Sequence, residues 1–259
     1  MSPGRNDRGS NDGASSLAAL STVAHERSRY AAASSSHLAP LPLASLLDAR
    51  SAPAETRVLT PRDVEQLRRA LPSRYVCSDW YLLYSTTVHG TSLNTLHMRA
   101  SGSGGCILAL RDRSGGRFGG FASEWREPEV PPRFYGSGEC FLFHVQPPDQ
   151  VDSPDAVHVH RWAGANSHYL FSHKDHLAMG SGGRFGLWVD SELLHGSSGP
   201  SETFGNPCLC DPAASLEVSE DGWPTSREFV CDVLEVWGVD ANAIATRQAH
   251  LEMMRSRKA

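Results

Sequence analysis

The sequence has no long apolar run, no basic surplus and no apolar leader. No stretch of about 18 apolar residues occurs, so we expect no membrane span. The formal net charge is −5 at pH 7, so the composition does not indicate the basic surface that nucleic-acid binding needs. The start, MSPGRNDRGSNDGASS, lacks a signal-peptide core. We expect a cytoplasmic protein. The Ser/Ala-rich start with scattered Arg leaves organellar targeting as the alternative, against which Asp7, Asp12 and Glu26 count.

Regular cysteine spacing is absent as well. Six cysteines are present, most of them inside apolar runs such as ECFLF and REFVCDVLEVW. This pattern is typical of buried, reduced thiols and does not indicate a disulfide framework. Cys208 and Cys210 form a Cys-x-Cys segment, which differs from the Cys-x-x-Cys of redox proteins. We favour two free thiols there, with a thiolate metal clip or a redox pair as the alternatives.

Composition divides the chain into four segments. Residues 1–40 are rich in Ser, Ala and Gly without periodicity, which predicts a flexible tail. Residues 41–54 continue an apolar stretch and predict a linker or a docking segment. Residues 55–239 carry the folded domain, and 240–259 predict a C-terminal helix with Asp240 as its N-cap.

The folded domain begins with a helix and continues mainly in strands. TPRDVEQLRRAL predicts a helix with Thr60 as N-cap and Pro61 at its first position. TSLNTLHMRAS predicts a shorter helix, capped by Thr91 or Ser92, with Leu93, Leu96 and Met98 facing inward. The candidate strands are WYLLYST (80–86), CILALRD (106–112), RFGGFAS (117–123), ECFLFHV (139–145), VHVHRW (157–162), HYLFS (168–172), HLAMG (176–180), RFGLWVD (184–190) and FVCDVLEVWGV (229–239). Their close spacing indicates a mainly β, α+β fold: a two-sheet antiparallel sandwich with a few peripheral helices.

The hexapeptide SGGRFG occurs twice, at Ser114–Gly119 and Ser181–Gly186. A phosphate-binding loop needs a helix after its glycines, but strand-like residues follow both copies. We therefore interpret each copy as a tight turn in which Arg stays solvated, Phe enters a strand and the next glycine allows close backbone approach. No nucleotide or other cofactor is expected.

Three residues of GSGEC are catalytic candidates: Ser137, Glu139 and Cys140. Glu139 is a carboxylate at the entrance of an apolar strand, beside two nucleophile types. The nucleophile-elbow pattern G-x-S-x-G is absent there. The favoured interpretation is that Glu139 caps backbone amides of the Gly136–Gly138 turn.

Two histidines are candidate metal ligands. His158 and His160 in VHVHRW share one face of a strand, because side chains repeat every two residues. His173 and His176 could add ligands, although no third ligand stands at a diagnostic spacing and Arg161 brings positive charge nearby. A solvent-facing strand with two histidines is the favoured interpretation, and we expect no metal.

The order of the motifs resembles the TLDc domain family. The pieces that carry it are WYLLYSTTVHGTSLNTL, ILALRDRSGGRFGGFASE, FYGSGECFLF, HRWAGANSHYLFS, MGSGGRFGLWVDSELLHGSSGPSETFGNPCL and FVCDVLEVWGV, from about residue 55 to 239. The chain looks like a short, TLDc-only member. Relatives usually have an aromatic residue where this chain has His97.

The resemblance implies a function as well as a sandwich fold. TLDc proteins are associated with protection from oxidative stress, and several bind and regulate the cytosolic sector of the vacuolar proton-pumping ATPase. The implied protein is a non-catalytic, monomeric interaction module that reaches vacuolar or lysosomal membranes through this partner. The alternative is a hydrolytic, metal-dependent or direct redox enzyme that uses Glu139 with a Ser or Cys, or the pair His158 and His160. The family supplies no catalytic residues to carry over.

Overall fold

A computed structural model describes residues 58–146 and 156–256, apart from the side chain of Arg255, together with Met1. The tail predicted for 1–40, Met1 excepted, and the linker predicted for 41–54 lie outside these residues. No helix among those described has the length and apolar character needed to cross a bilayer.

The described residues form four α-helices and eleven strands. The helices are α1 (Pro61–Ala70), α2 (Thr86–His89), α3 (Leu93–Ala100) and α4 (Ala241–Ser256). The strands are β1 (Tyr81–Ser85), β2 (Cys106–Asp112), β3 (Arg117–Ala122), β4 (Phe134–Tyr135), β5 (Phe141–Gln146), β6 (Ala156–Arg161), β7 (Leu170–Ser172), β8 (His176–Met179), β9 (Leu187–Asp190), β10 (His195–Ser198) and β11 (Arg227–Gly238).

The strands pair antiparallel in two sheets that share β11. The first, which we call the helix-side sheet, contains β1, β2, β3, β5 and β6 together with the C-terminal part of β11. The second, the outer sheet, contains β4, β7, β8, β9 and β10 with the N-terminal part of β11. A register shift between Cys231 and Val233 marks the point where β11 passes from one sheet to the other. Such irregularities bend a strand and allow it to turn a corner between sheets.

Direct contacts show that the two sheets pack face to face. Phe118 of β3 meets Phe229 of β11 edge to face, with ring centroids 4.9 Å apart. A Cβ added at Gly120 would lie 2.8 Å from the Sδ of Met179, and one at Gly186 would lie 2.4 Å from Cδ1 of Leu142. The predicted sandwich is confirmed, as is the close approach at the last glycine of the second SGGRFG.

Helix α1 covers the other face of the helix-side sheet. Thr60 accepts a hydrogen bond from the amide of Asp63, whose carboxylate accepts one from the amide of Thr60, so a capping box begins the helix as predicted. Val64 and Leu67 are buried against strand residues such as Phe121, Phe143 and Trp237. The layers are therefore helix, sheet and sheet.

The two arginines of the SGGRFG copies are both paired. Arg117 forms an ion pair with the buried carboxylate of Asp63. Arg184 donates to the carboxylate of Asp221 at 2.8 Å and to the carbonyl oxygen of Pro224 at 3.2 Å. The prediction that these arginines stay solvated is wrong, because each ties its turn to a segment far away in the sequence.

The helices α3 and α4 partly match their predictions. Ser92 accepts from the amide of Thr95 and begins α3. Met98 was predicted to face inward, but its side chain is exposed, and His97 is the buried neighbour. In α4, Asp240 accepts from the amide of Ala243, as an N-cap does.

Candidate functional site

The carboxylate of Glu139 is held by a cation from another part of the chain. Arg74, in the turn after α1, donates to both carboxylate oxygens of Glu139, at 2.6 Å in one of the two hydrogen bonds. These hydrogen bonds lower the pKa of Glu139 and raise the pKa of Arg74. The guanidinium also lies 4.5 Å from the ring centroid of Tyr75. The sequence favoured a Glu139 carboxylate that caps backbone amides of the Gly136–Gly138 turn. In the structure this carboxylate instead pairs with the guanidinium of Arg74.

The two nucleophile types beside Glu139 have partners of their own. The Oγ of Ser137 accepts a hydrogen bond from the amide of Glu139 at 3.3 Å. Cys140 is buried, and its Sγ accepts from the amide of Ser123 at 3.3 Å. Nucleophilic catalysis needs a base within hydrogen-bond reach of the nucleophile. Ser137, Glu139 and Cys140 instead form the turn that leads into β5, and a catalytic role for them stays a prediction.

His158 and His160 lie on one face of the edge strand β6, opposite Val157 and Val159, which pack toward α1. A third imidazole joins them from β5. The His144 ring stacks on His158 at 5.0 Å and on His160 at 5.1 Å between centroids. The Nδ1 of His144 lies 3.0 Å from the Nε2 of His160, which is a hydrogen-bond distance. We call His144, His158 and His160 the histidine stack.

Two members of the histidine stack, His144 and His160, favour the neutral imidazole. Burial, followed by the charges of His160 and His158, lowers the pKa of His144 to about 4. Burial also lowers the pKa of His160. No group of three or more His, Cys, Asp or Glu side chains placed to hold a metal ion occurs among the residues that the structure describes. His173 and His176 contact each other at 4.9 Å near the turn between β7 and β8, in the outer sheet.

Sequence reasoning missed His144, although the alternation in ECFLFHV could have indicated it. Phe141, Phe143 and Val145 pack toward α1, so His144 points to the other face with His158. Only the pairing of β5 with β6 places the three rings together.

Helix α4 is anchored by its first two turns. Ile244 is buried against Gly238, and the Nε of Arg247 donates to the carbonyl oxygen of Ser101 at 2.7 Å. The last two turns expose Leu251, Met253 and Met254. Helix ends that leave large apolar side chains in water are candidate contact surfaces.

A groove of about 880 Å³ runs beside α4. Its walls include Met98 of α3, the loop residues Trp125 and Arg126, and Thr246 and Leu251 of α4. Met98 is 58% exposed and Leu251 is 38% exposed. We define the α4 surface as this groove together with the exposed apolar residues Met253 and Met254.

These observations define a class of protein: an α+β sandwich with an apolar α4 surface. Among its described residues, Ser137, Glu139 and Cys140 form no nucleophile–base pair, and no group of side chains is placed to hold a metal ion. The family model of the TLDc domain matches residues 53–240. The chain belongs to the TLDc family.

Curated relatives share this part of the chain. Oxidation resistance protein 1 of Kluyveromyces lactis is 34% identical over 183 residues, which cover 63% of this chain and 73% of the relative. The protein of the same name from Podospora anserina is 33% identical over 203 residues, covering 63% of this chain and 58% of the relative. Human Oxidation resistance protein 1 is 38% identical over 187 residues, covering 71% of this chain and 19% of the relative. The chain thus spans less than two thirds of the length of some relatives.

Proposed function

We propose that this protein is a non-catalytic interaction module that binds and regulates the cytosolic sector of the vacuolar proton-pumping ATPase and contributes to protection from oxidative stress. The observation that carries the proposal is membership of the TLDc family over residues 53–240. The oxidative-stress part is supported by relatives named Oxidation resistance protein 1. The ATPase part rests on the family resemblance.

The α4 surface is the contact site that we assign to this partner. It combines Leu251, Met253 and Met254 on a helix end with Met98 at the mouth of the groove. Methionine side chains adapt to irregular partner surfaces, and apolar anchors dominate the energy of interfaces. The proposed protein is a cytoplasmic monomer that reaches vacuolar or lysosomal membranes through the ATPase.

The test is binding to purified cytosolic ATPase sector, followed by ATP hydrolysis and assembly with the membrane sector. We expect the whole chain to bind and to change one of these activities. The double variant Leu251→Glu with Met254→Glu is expected to weaken binding at least about tenfold, because it places two charges in a contact that buries apolar surface.

The matched control is Val218→Glu, the same kind of change at another exposed apolar residue. It is expected to bind like the wild-type chain, and circular dichroism checks that both variants keep their helices. A wild-type chain that neither binds nor changes hydrolysis or assembly contradicts the function. Equal binding by all three proteins contradicts the α4 surface alone.

A further inference from the structure

Cys208 and Cys210 lie in the connection between β10 and β11, on a backbone that buried polar groups hold in place. The Nδ2 of Asn206 donates to the carbonyl oxygens of Gly199 at 3.0 Å and of Pro207 at 2.7 Å. The amide of Leu209, between the two cysteines, donates to the buried Oγ of Ser198 at 2.8 Å. The backbone on both sides of the two thiols is therefore held by hydrogen bonds.

The two sulfurs are close enough to react with each other. Cys208 Sγ and Cys210 Sγ are 3.4 Å apart. A disulfide bond is about 2.05 Å long, so closure needs the sulfurs to approach by about 1.4 Å. Both are free thiols, Cys208 buried and Cys210 partly exposed to solvent. Because a single residue separates them, rotation of the two side chains and a local adjustment of the loop can close this gap.

The two thiols of the pair differ in pKa. The hydrogen bond between the two sulfurs, followed by the backbone amides of Asp211 and Cys210, lowers the pKa of the Cys208 thiol to about 7. The pKa of Cys210 is raised by its hydrogen bond with Cys208, by burial, and because a second negative charge beside the first is unfavourable. Cys231, a single buried thiol, has its pKa raised to about 12 by burial. The pair thus supplies one thiolate and one thiol near neutral pH, the combination that disulfide chemistry uses.

We propose that Cys208 and Cys210 form a redox site that a hydroperoxide oxidises to an intrachain disulfide and that a dithiol reductant restores. The proposal is independent of ATPase binding. It assigns a reaction to the Cys-x-Cys segment that the family match leaves without a role.

The reaction balances as two steps. The thiolate of the pair attacks a hydroperoxide oxygen, an S–O bond forms as the O–O bond breaks, and the cysteine becomes a sulfenic acid. The leaving oxygen takes a proton from water, which releases hydroxide, and gives an alcohol or, from hydrogen peroxide, water. The second thiol then attacks the resulting sulfenic acid, the S–S bond forms, and the hydroxyl leaves with that thiol's proton as water.

The experiment treats the reduced full chain with stoichiometric hydrogen peroxide, alkylates the remaining thiols under denaturing conditions and maps the peptides. We expect the peptide that contains both Cys208 and Cys210 to lose two hydrogens and both alkylation sites, and dithiothreitol to restore them. Cys77→Ser removes the exposed single cysteine and is expected to behave like the wild-type chain. Cys210→Ser is expected to give no disulfide, and dimedone is expected to trap a sulfenic acid at Cys208.

A second measurement needs no peroxide. The rate of alkylation at Cys208 by iodoacetamide is expected to rise with pH around a midpoint below the usual pKa of a cysteine thiol in the wild-type chain. Cys210→Ala removes the neighbouring sulfur and is expected to move this midpoint upward. The proposal is overturned if Cys208 and Cys210 remain alkylatable while Cys77 is oxidised, or if the disulfide links other cysteines. A midpoint that Cys210→Ala leaves unchanged also counts against it.

Discussion

Asp63 is a carboxylate with no exposed surface, and Arg117 meets its charge across the contact between α1 and β3. The same carboxylate completes the capping box of α1. Arg74 and Glu139 form the exposed counterpart, with side chains 50% and 40% exposed. At the scale of residues, burial decides how much each ion pair contributes to the free energy of unfolding. An exposed ion pair contributes little, whereas a buried charge that loses its partner strongly destabilises the fold.

Arg117→Met is expected to lower the free energy of unfolding by about 3–5 kcal/mol, since it leaves the buried carboxylate of Asp63 without its cation. Urea unfolding at pH 7 measures the change. Arg69→Met is the matched control, because Arg69 pairs with Glu65 on the solvent side of α1. The control is expected to cost about 1 kcal/mol or less. An equal decrease in the free energy of unfolding in the two variants would contradict the prediction that the buried ion pair contributes more than the exposed one.

At the scale of elements, the pairing of β5 with the edge strand β6 brings three imidazoles into contact. His144 faces His158 directly across the two strands, and His160 lies beside them. Protonation of His144 is disfavoured by burial and by charge on His160 and His158. The pairing of the two strands therefore adds repulsion between imidazoles to the cost of burying a charged ring.

The histidine stack predicts a loss of stability in acid. Unfolded histidine has a pKa of about 6.5, whereas that of folded His144 is about 4. Between these values the unfolded state binds more protons, so the free energy of unfolding falls as the pH falls from about 6.5 toward 4. We expect His144 to contribute about 3 kcal/mol to this fall, measured by urea unfolding at several pH values.

The variant His144→Leu is expected to show a shallower dependence on pH over the same window. Some dependence remains, because burial also lowers the pKa of His97 to about 4. His250→Gln, at an exposed imidazole on α4, serves as the control. An unchanged slope in His144→Leu would show that the stack does not couple protonation to stability.

At the scale of the whole molecule, β11 joins the two sheets and their inner faces close on each other. Leu142 of β5 is buried, and Gly186 before β9 leaves the space that its side chain fills. Interiors packed this closely transmit a change in volume at one residue to the element opposite. The two positions therefore report on contact between the sheets.

Gly186→Ala and Leu142→Ala are expected to be less costly together than the sum of the single changes. Gly186→Ala places a methyl group against Leu142 and is expected to cost about 1–3 kcal/mol. Leu142→Ala empties a buried site and is expected to cost about 2–5 kcal/mol. In the double variant the methyl group occupies part of that space, so we expect a coupling of at least about 0.5 kcal/mol. Additive losses in denaturant unfolding would contradict direct contact between the sheets.

Local signals predicted much of the fold. The cap at Thr60 and the apolar spacing after it predicted α1, and alternating aromatic and β-branched residues predicted most strands of the sandwich. The prediction omitted β4 and β10. β10 reads HGSS, which has no strand character of its own. It forms because the main chains of β9 and β11 lie on either side of it.

The sequence by itself determined the family, the two-sheet sandwich and the sharing of one strand face by His158 and His160, because these depend on motifs and on a period of two residues. Only the tertiary structure decided the partners. It brought His144 to the histidine stack, Arg74 to Glu139, Asp63 to Arg117 and a sulfur–sulfur contact to Cys208 and Cys210. It also left the end of α4 exposed. Contacts and exposure of this kind depend on strand pairing, loop conformation and the packing of distant segments, which local patterns do not contain.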